Sequence, residues 1–240
     1  MNSKNEILIR NAKVITCDAE FSLADGVVID GGKIAAVGPA ESMATSYPTA
    51  HVIDAGGRAV MPGMIDSHGH AGHAMVKSFG SGDVAAWTAA CLKLYALGSS
   101  AAFWEAEARL ASLERLKAGV TTSISLMGGG TDLLRNDTPD YALAYARAVG
   151  EAGTRAYLAI GPNRPPYPHR FVRKEDGAEH VVDLDEQMQV VETLLAEHGS
   201  SHERRVNFCL TAPVFGPGKA NTEDLAFAEI KAIFDSVMDQ

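Results

Sequence analysis

Two histidines one residue apart, His68 and His70, close a short apolar run that opens Pro62-Gly63-Met64-Ile65, and Asp66 stands two residues before the first of them. If this run is a strand, alternation puts Asp66, His68 and His70 on one face. Two imidazoles side by side at a strand end can chelate one divalent ion through nitrogen. A His-x-His pair also arises by chance on surfaces. Here a Pro-Gly turn and an apolar strand lead into it, which is the setting a ligand pair needs.

Other polar residues fall where they could meet a substrate. His73 lies three residues past His70, at the mouth of such a site. Met127 ends a later apolar strand and is a candidate pocket-lining residue. The proline-rich loop Gly161 to His169 follows another strand, and Asn163, Arg164, Tyr167 and His169 are its candidate specificity residues. Lys77 reads as a solvated charge and Trp87 as a packing residue. His51, His180, His198 and His202 read as surface residues.

The elements that must position these residues come in two grammars. Residues 7 to about 62 read as short strands with glycine turns, Gly31-Gly32 being the hairpin signal between two of them. This is a small antiparallel β unit. After Pro62, strands alternate with helical patterns. The strands are Ala59 to Ser67, Val120 to Met127, Arg155 to Ile160 and Val206 to Thr211. Between them, Glu105 to Lys117 carries Ala106, Leu110, Leu113 and Leu116 on one helical face. Thr138-Pro139-Asp140 opens a helix that runs to about Ala152, with Gly153 past its end. Leu184, Met188, Val191 and Leu194 line another, and Asn221 or Thr222 caps a last one. Four βα units in succession predict a parallel sheet with right-handed crossovers. That sheet is either open or half of an eight-unit barrel, which takes ~250 residues.

Composition bounds the partners. Of 240 residues, 46% are apolar and 21% charged, so the chain can bury a sizeable core. A net charge of -9 argues against nucleic acid, which is gripped by basic patches. The three cysteines, Cys17, Cys91 and Cys209, form no disulfide framework and suit a reducing cytoplasm. The polar start lacks a signal-peptide run, and no apolar span is long enough for a bilayer, so no membrane partner is expected.

The sequence resembles the amidohydrolase superfamily, in its branch of cytosine-deaminase-like and triazine-hydrolase-like enzymes. Four stretches carry the resemblance. Ile7 to Ile15 with Gly26 to Val37 is similar to the family's opening β-sandwich strands. Pro62 to His70 resembles its first barrel strand, and Leu113 to Thr122 its helix into strand two. Ala212-Pro213 and the capped helix at Asn221 resemble the segment after strand four.

The resemblance implies an α/β fold of (β/α)8 TIM-barrel type. About the first four βα units are present (residues 61–240), preceded by a partial small β-sandwich (residues 1–60). It implies a hydrolase acting on non-peptide C–N bonds of a small nitrogen heterocycle or cyclic amidine, by metal-activated water. His68 and His70 would bind one divalent ion, zinc or alternatively iron, with Asp66 aimed into the barrel below it. The family's later ligands and proton-transfer glutamate have no counterpart here. A fragment of a longer enzyme, a half completed by a second polypeptide or homo-oligomer, and a non-catalytic relic are therefore the three expectations. An open sheet with incidental histidines is the reading without the resemblance.

Overall fold

The computed structural model describes residues 6–129, 133–164, 166–198 and 204–211. Ala212-Pro213, the helix expected from Asn221 or Thr222, His202, and Gly130 and Pro165 lie outside the described residues. The chain divides into two compact units between Gly63 and Met64.

The first unit holds β1 (Ile7–Arg10), β2 (Lys13–Ile15), β3 (Leu23–Ala24), β4 (Gly26–Asp30), β5 (Lys33–Gly38), α1 (Ala40–Ser46), β6 (His51–Asp54) and β7 (Ala59–Val60). Gly31 and Gly32, at φ 58° and 79°, make the β4–β5 turn, as their spacing predicts. One sheet runs β5-β4-β1-β6 and another β3-β2-β7. The β1–β6 and β2–β7 pairs are parallel, so the unit is mixed rather than purely antiparallel. Its apolar clusters are small: Ala12, Val14, Val27 and Ala55 form one, and Leu8, Val28 and Met43 another.

The second unit holds β8 (Met64–Ala71), α2 (His73–Val76), α3 (Val84–Lys93), a π-helical turn (Leu94–Gly98), α4 (Ala101–Lys117), β9 (Val120–Met127), α5 (Asp140–Ala152), β10 (Arg155–Ala159), β11 (His169–Val172), β12 (Glu179–Val182), α6 (Leu184–His198) and β13 (Val206–Cys209). Strands β13-β10-β9-β8 form a parallel sheet, the order expected of successive βα units. The hairpin β11–β12 is an antiparallel insertion after β10.

Three local differences from the sequence reading have physical causes. The run Ala59 to Ser67 is two strands, because Pro62 has no N–H for a ladder; β7 pairs inside the first unit and β8 continues through both histidines. Helix α4 starts earlier, at Ala101, where Ser100 Oγ accepts the N–H of Phe103 at 3.1 Å. Its buried face is also rotated from the one read off the leucines. Trp104, Glu107, Ala108, Ala111 and Ser112 face inward, while Leu113 and Leu116 are exposed. Small residues on the inner stripe let α4 approach α5 closely, and that packing outranks the leucine count.

Helix α5 spans Asp140–Ala152, with Thr138 Oγ1 accepting from the Asp140 N–H at 3.2 Å and Gly153 in the left-handed region at φ 82°. At the start of α6, Asp183 and Glu186 exchange backbone–side-chain bonds of 2.9 Å, a reciprocal capping box. Met188, Val191 and Leu194 are buried as their spacing predicts.

Candidate metal centre

Strand β8 does not alternate evenly. Asp66 stands opposite Ser123 and Gly69 opposite Ser125, so three steps on β8 match two on β9. This is a bulge, and one extra residue reverses which face a side chain takes. Asp66 is thereby turned away from the histidines. Its Oδ2 accepts from Arg115 Nε of α4 at 3.1 Å, and Arg115 Nη2 donates to Ser125 Oγ at 3.1 Å. The even alternation that put Asp66, His68 and His70 on one face is corrected by the bulge.

Gly69 lies over this clamp. A Cβ there would stand 3.1 Å from Asp66 Oδ2 and would press on the Arg115 guanidinium. A side chain between the histidines would therefore have to displace the Arg115 head group.

Past the bulge, alternation resumes. Ala71 faces the helices and is fully buried in the main core. His70 takes the opposite face, and its ring centroid lies 5.2 Å from that of exposed His68, at an interplanar angle of 78°. His70 Nδ1 is 3.0 Å from the carbonyl oxygen of Gly128. A carbonyl only accepts, so Nδ1 carries the proton. Burial, against the pull of that carbonyl and with some help from neighbouring His68, holds the His70 pKa below the ordinary imidazole value. In the neutral ring Nε2 then keeps its lone pair, the state a metal ligand needs.

His73 is sandwiched. Its ring stacks on His70 at 4.4 Å and 11°, and lies 6.2 Å from Tyr95 at 19°, while Trp87 meets it edge-on at 4.8 Å. Burial first, and then His70, lowers its pKa to about 4, so it is neutral at pH 7. Its buried Nε2 has no hydrogen-bond partner among the described residues. Trp87 also donates its indole N–H to the Val76 carbonyl at 2.8 Å, which fixes α3 against α2.

The other candidates sit in different surroundings. Met127 is fully buried in the main core. Asn163 is also fully buried. Its Oδ1 accepts the Leu134 N–H, and its Nδ2 lies within bonding distance of Leu134 O, Asn136 Oδ1 and Gln187 Oε1, at 3.0, 2.9 and 3.0 Å. Tyr167 Oη donates to the Asn163 carbonyl, and His169 Nε2 donates to the Arg164 carbonyl at 2.9 Å. Tyr167 and His169 meet edge to face at 5.5 Å. Lys77 pairs with Glu114 on the surface. Among the described residues, no group of three or more His, Cys, Asp or Glu side chains is placed to hold a metal ion.

Three buried charged groups, Glu107, Arg135 and Asp137, carry no mark in the expectations drawn from the sequence. Glu107, on α4, accepts backbone N–H groups of Gly72, Ala74 and Met75. Its position on the Trp104–Ala108–Ala111 stripe was the available signal. Arg135 pairs through Nε with Asp137 at 2.7 Å, donates to the carbonyls of Tyr95, Ala96 and Val172, and packs on the ring of Tyr141 at 4.3 Å. It ties the end of the π-helical turn, and so Tyr95, to the loop after β9. Its sequence neighbourhood carries no such mark.

Comparison with known proteins returns a consistent set. A family model described as "imidazolonepropionase-like composite domain, bacteria" matches residues 26–50. A 5'-deoxyadenosine deaminase of Methanococcoides burtonii is 32% identical over 159 residues, 65% of this chain and 33% of that protein. The zinc complex of atrazine chlorohydrolase TrzN from Arthrobacter aurescens TC1 superposes at a TM-score of 0.65 and 26% identity, covering 95% of this chain and 51% of that one. A guanine deaminase from C. acetobutylicum, at 16% identity and a TM-score of 0.63, shares the fold. The chain thus spans about a third of that curated relative and half of those solved chains. Among the described residues, no helix is long and apolar enough to cross a membrane.

Proposed function

Because this chain resembles the amidohydrolase superfamily, in its cytosine-deaminase-like and triazine-hydrolase-like branch, we propose that the protein is a metal-dependent hydrolase. It acts on a non-peptide C–N bond of a small nitrogen heterocycle or cyclic amidine. One observation carries the reading: His68 and His70 share the face of β8 turned away from the helices, and the Gly128 carbonyl fixes the His70 proton on Nδ1.

Two imidazole nitrogens suit zinc, or iron, and fit such an ion as far as two ligands can. A catalytic zinc takes three protein ligands and a water. The remaining ligands and the proton-transfer carboxylate come from outside the described residues, in this polypeptide or in a partner that completes the barrel. In this reading β8, β9, β10 and β13 are the first four staves of a (β/α)8 barrel. The first unit is part of a small β-sandwich. The coverage of about half of the zinc-containing TrzN chain supports this view.

A bound divalent ion would supply a hydrolytic water of pKa ~7. The chain's own residues do the rest of what is visible here. His68 and His70 offer nitrogen to the ion. The Gly128 carbonyl orients His70. Neutral His73 backs the His70 ring by stacking on it at 4.4 Å. Tyr167, in the loop after β10, and His169, the first residue of β11, follow the C-terminal end of a sheet strand, where substrate selection belongs in this architecture. The setting is cytoplasmic.

The test is direct. Full-length protein purified without chelator should carry one zinc or iron per active site and release ammonia from amino-substituted triazines, pyrimidines or purines. Protein that takes up no stoichiometric divalent ion defeats the proposal.

A further inference from the structure

Helix α2 starts badly on its own. It is four residues long, and its N-cap is Gly72 at φ 102°, which has no side chain to accept the first N–H groups. No other residue fits at Gly72, since a Cβ would fall within 2.6–2.8 Å of the Tyr95 ring. The missing acceptor comes from another helix. Glu107 of α4 is fully buried, and its Oε1 takes the N–H groups of Gly72 and Ala74 at 3.1 and 2.9 Å. Its Oε2 takes that of Met75 at 2.8 Å. A buried carboxylate is costly, and charge-assisted bonds to three backbone donors offset that cost. The turn so held spans His73, whose ring lies parallel on His70.

We propose that Glu107 is a positioning residue of the metal centre: by gripping the Gly72–Met75 turn it keeps His73 stacked on His70 and thereby sets the His70 ring for its ion. The inference rests on the metallohydrolase reading and deepens it. Glu107 touches neither ion nor substrate. It acts through His73, and the helix α4 that carries it also carries Arg115, which clamps the other side of β8.

The test uses full-length protein and two readouts. Glu107→Gln keeps the shape and replaces one acceptor oxygen with a donor. Amide exchange at Gly72, Ala74 and Met75 should quicken by ~10–100-fold, with exchange in α5 unchanged. The zinc Kd should rise by ~10–100-fold, the usual effect of losing a group that orients a ligand. Glu107→Asp, which keeps the charge but draws it back by one methylene, should fall between wild type and Glu107→Gln in both readouts. It also carries the test alone if Glu107→Gln does not fold. Unchanged exchange, or faster exchange with a wild-type zinc Kd, overturns the inference while leaving the metal reading intact. Wild-type protein that binds neither zinc nor iron overturns the metal reading, and with it this extension.

Discussion

Strands β8 and β10 flank β9 in one parallel sheet, yet their C-terminal ends use polar residues in opposite ways. After β10, Asn163 is sealed from solvent and its amide is occupied by Leu134, Asn136 and Gln187. At the end of β8, His68 is exposed, and among the described residues the His70 ring makes one hydrogen bond, through Nδ1. A satisfied network is what a brace looks like. A pair of oriented donors with open valence is what a binding site looks like. The two are also linked. Asn163 holds both backbone groups of Leu134, Leu134 bridges to Gly128, and the Gly128 carbonyl receives the His70 proton.

The sharpest way to break this contrast is to remove the open donors. Replacing His68 and His70 together by alanine should abolish zinc uptake, a loss beyond the ~100-fold that an outer partner costs. The thermal midpoint of the metal-free protein should hardly move, because an exposed and a half-buried ring contribute little to the core. A large fall in metal-free stability would make the histidines structural and end the distinction.

The brace should behave in reverse. Asn163→Ala strands buried donors and acceptors at Leu134, Asn136 and Gln187, at a cost of ~3 kcal/mol. Chemical denaturation measures this, and zinc stoichiometry should stay at one per site. Loss of zinc at unchanged stability would place Asn163 among the ligand-binding residues expected from the sequence.

The contrast was half legible in the letters. His68 and His70 stood out because their spacing matches the period of a strand. Strict alternation puts Asp66 on the wrong face, because a bulge leaves no mark in the sequence. Helix α5 was readable end to end, since Thr138, Pro139, Asp140 and Gly153 are local signals with local effects. The inner face of α4 was not, because it depends on how closely another helix approaches. Asn163 looked like a contact residue, being polar in a loop on the active side. Its burial is set by Asn136 and Gln187, which are 27 and 24 residues away. Local chemistry was visible, and long-range satisfaction of polar groups was not.

The bulge offers a subtler probe. Gly69→Ala adds one methyl group against the Asp66–Arg115 clamp and should cost ~1–3 kcal/mol as the clamp shifts. Since Gly69 lies between the two histidines, the zinc Kd should rise as well, by less than in the double alanine variant. Stability lost with an unchanged zinc Kd would show that the clamp supports the strand without aiming its ligands.

The smallest effect belongs to the hairpin after β10, where Asp176 pairs with Arg173 and accepts the Ala178 N–H at 3.0 Å. These contacts, the Arg173 hydrogen bond foremost, lower the Asp176 pKa from 3.8 to about 2. An acid whose pKa is depressed on folding adds stability that is complete above its unfolded value and is lost as pH falls towards the folded one. The advantage of wild type over Asp176→Asn should therefore be constant above about pH 5 and shrink between pH 4 and 2. The pair is exposed to solvent, so salt should shrink it too. Paired denaturation curves from pH 6 to 3 check the sign: an advantage that grows on acidification would contradict it. Zinc binding at pH 7 should be the same in both proteins, because this surface pair shares no hydrogen bond with Asn163 or His70.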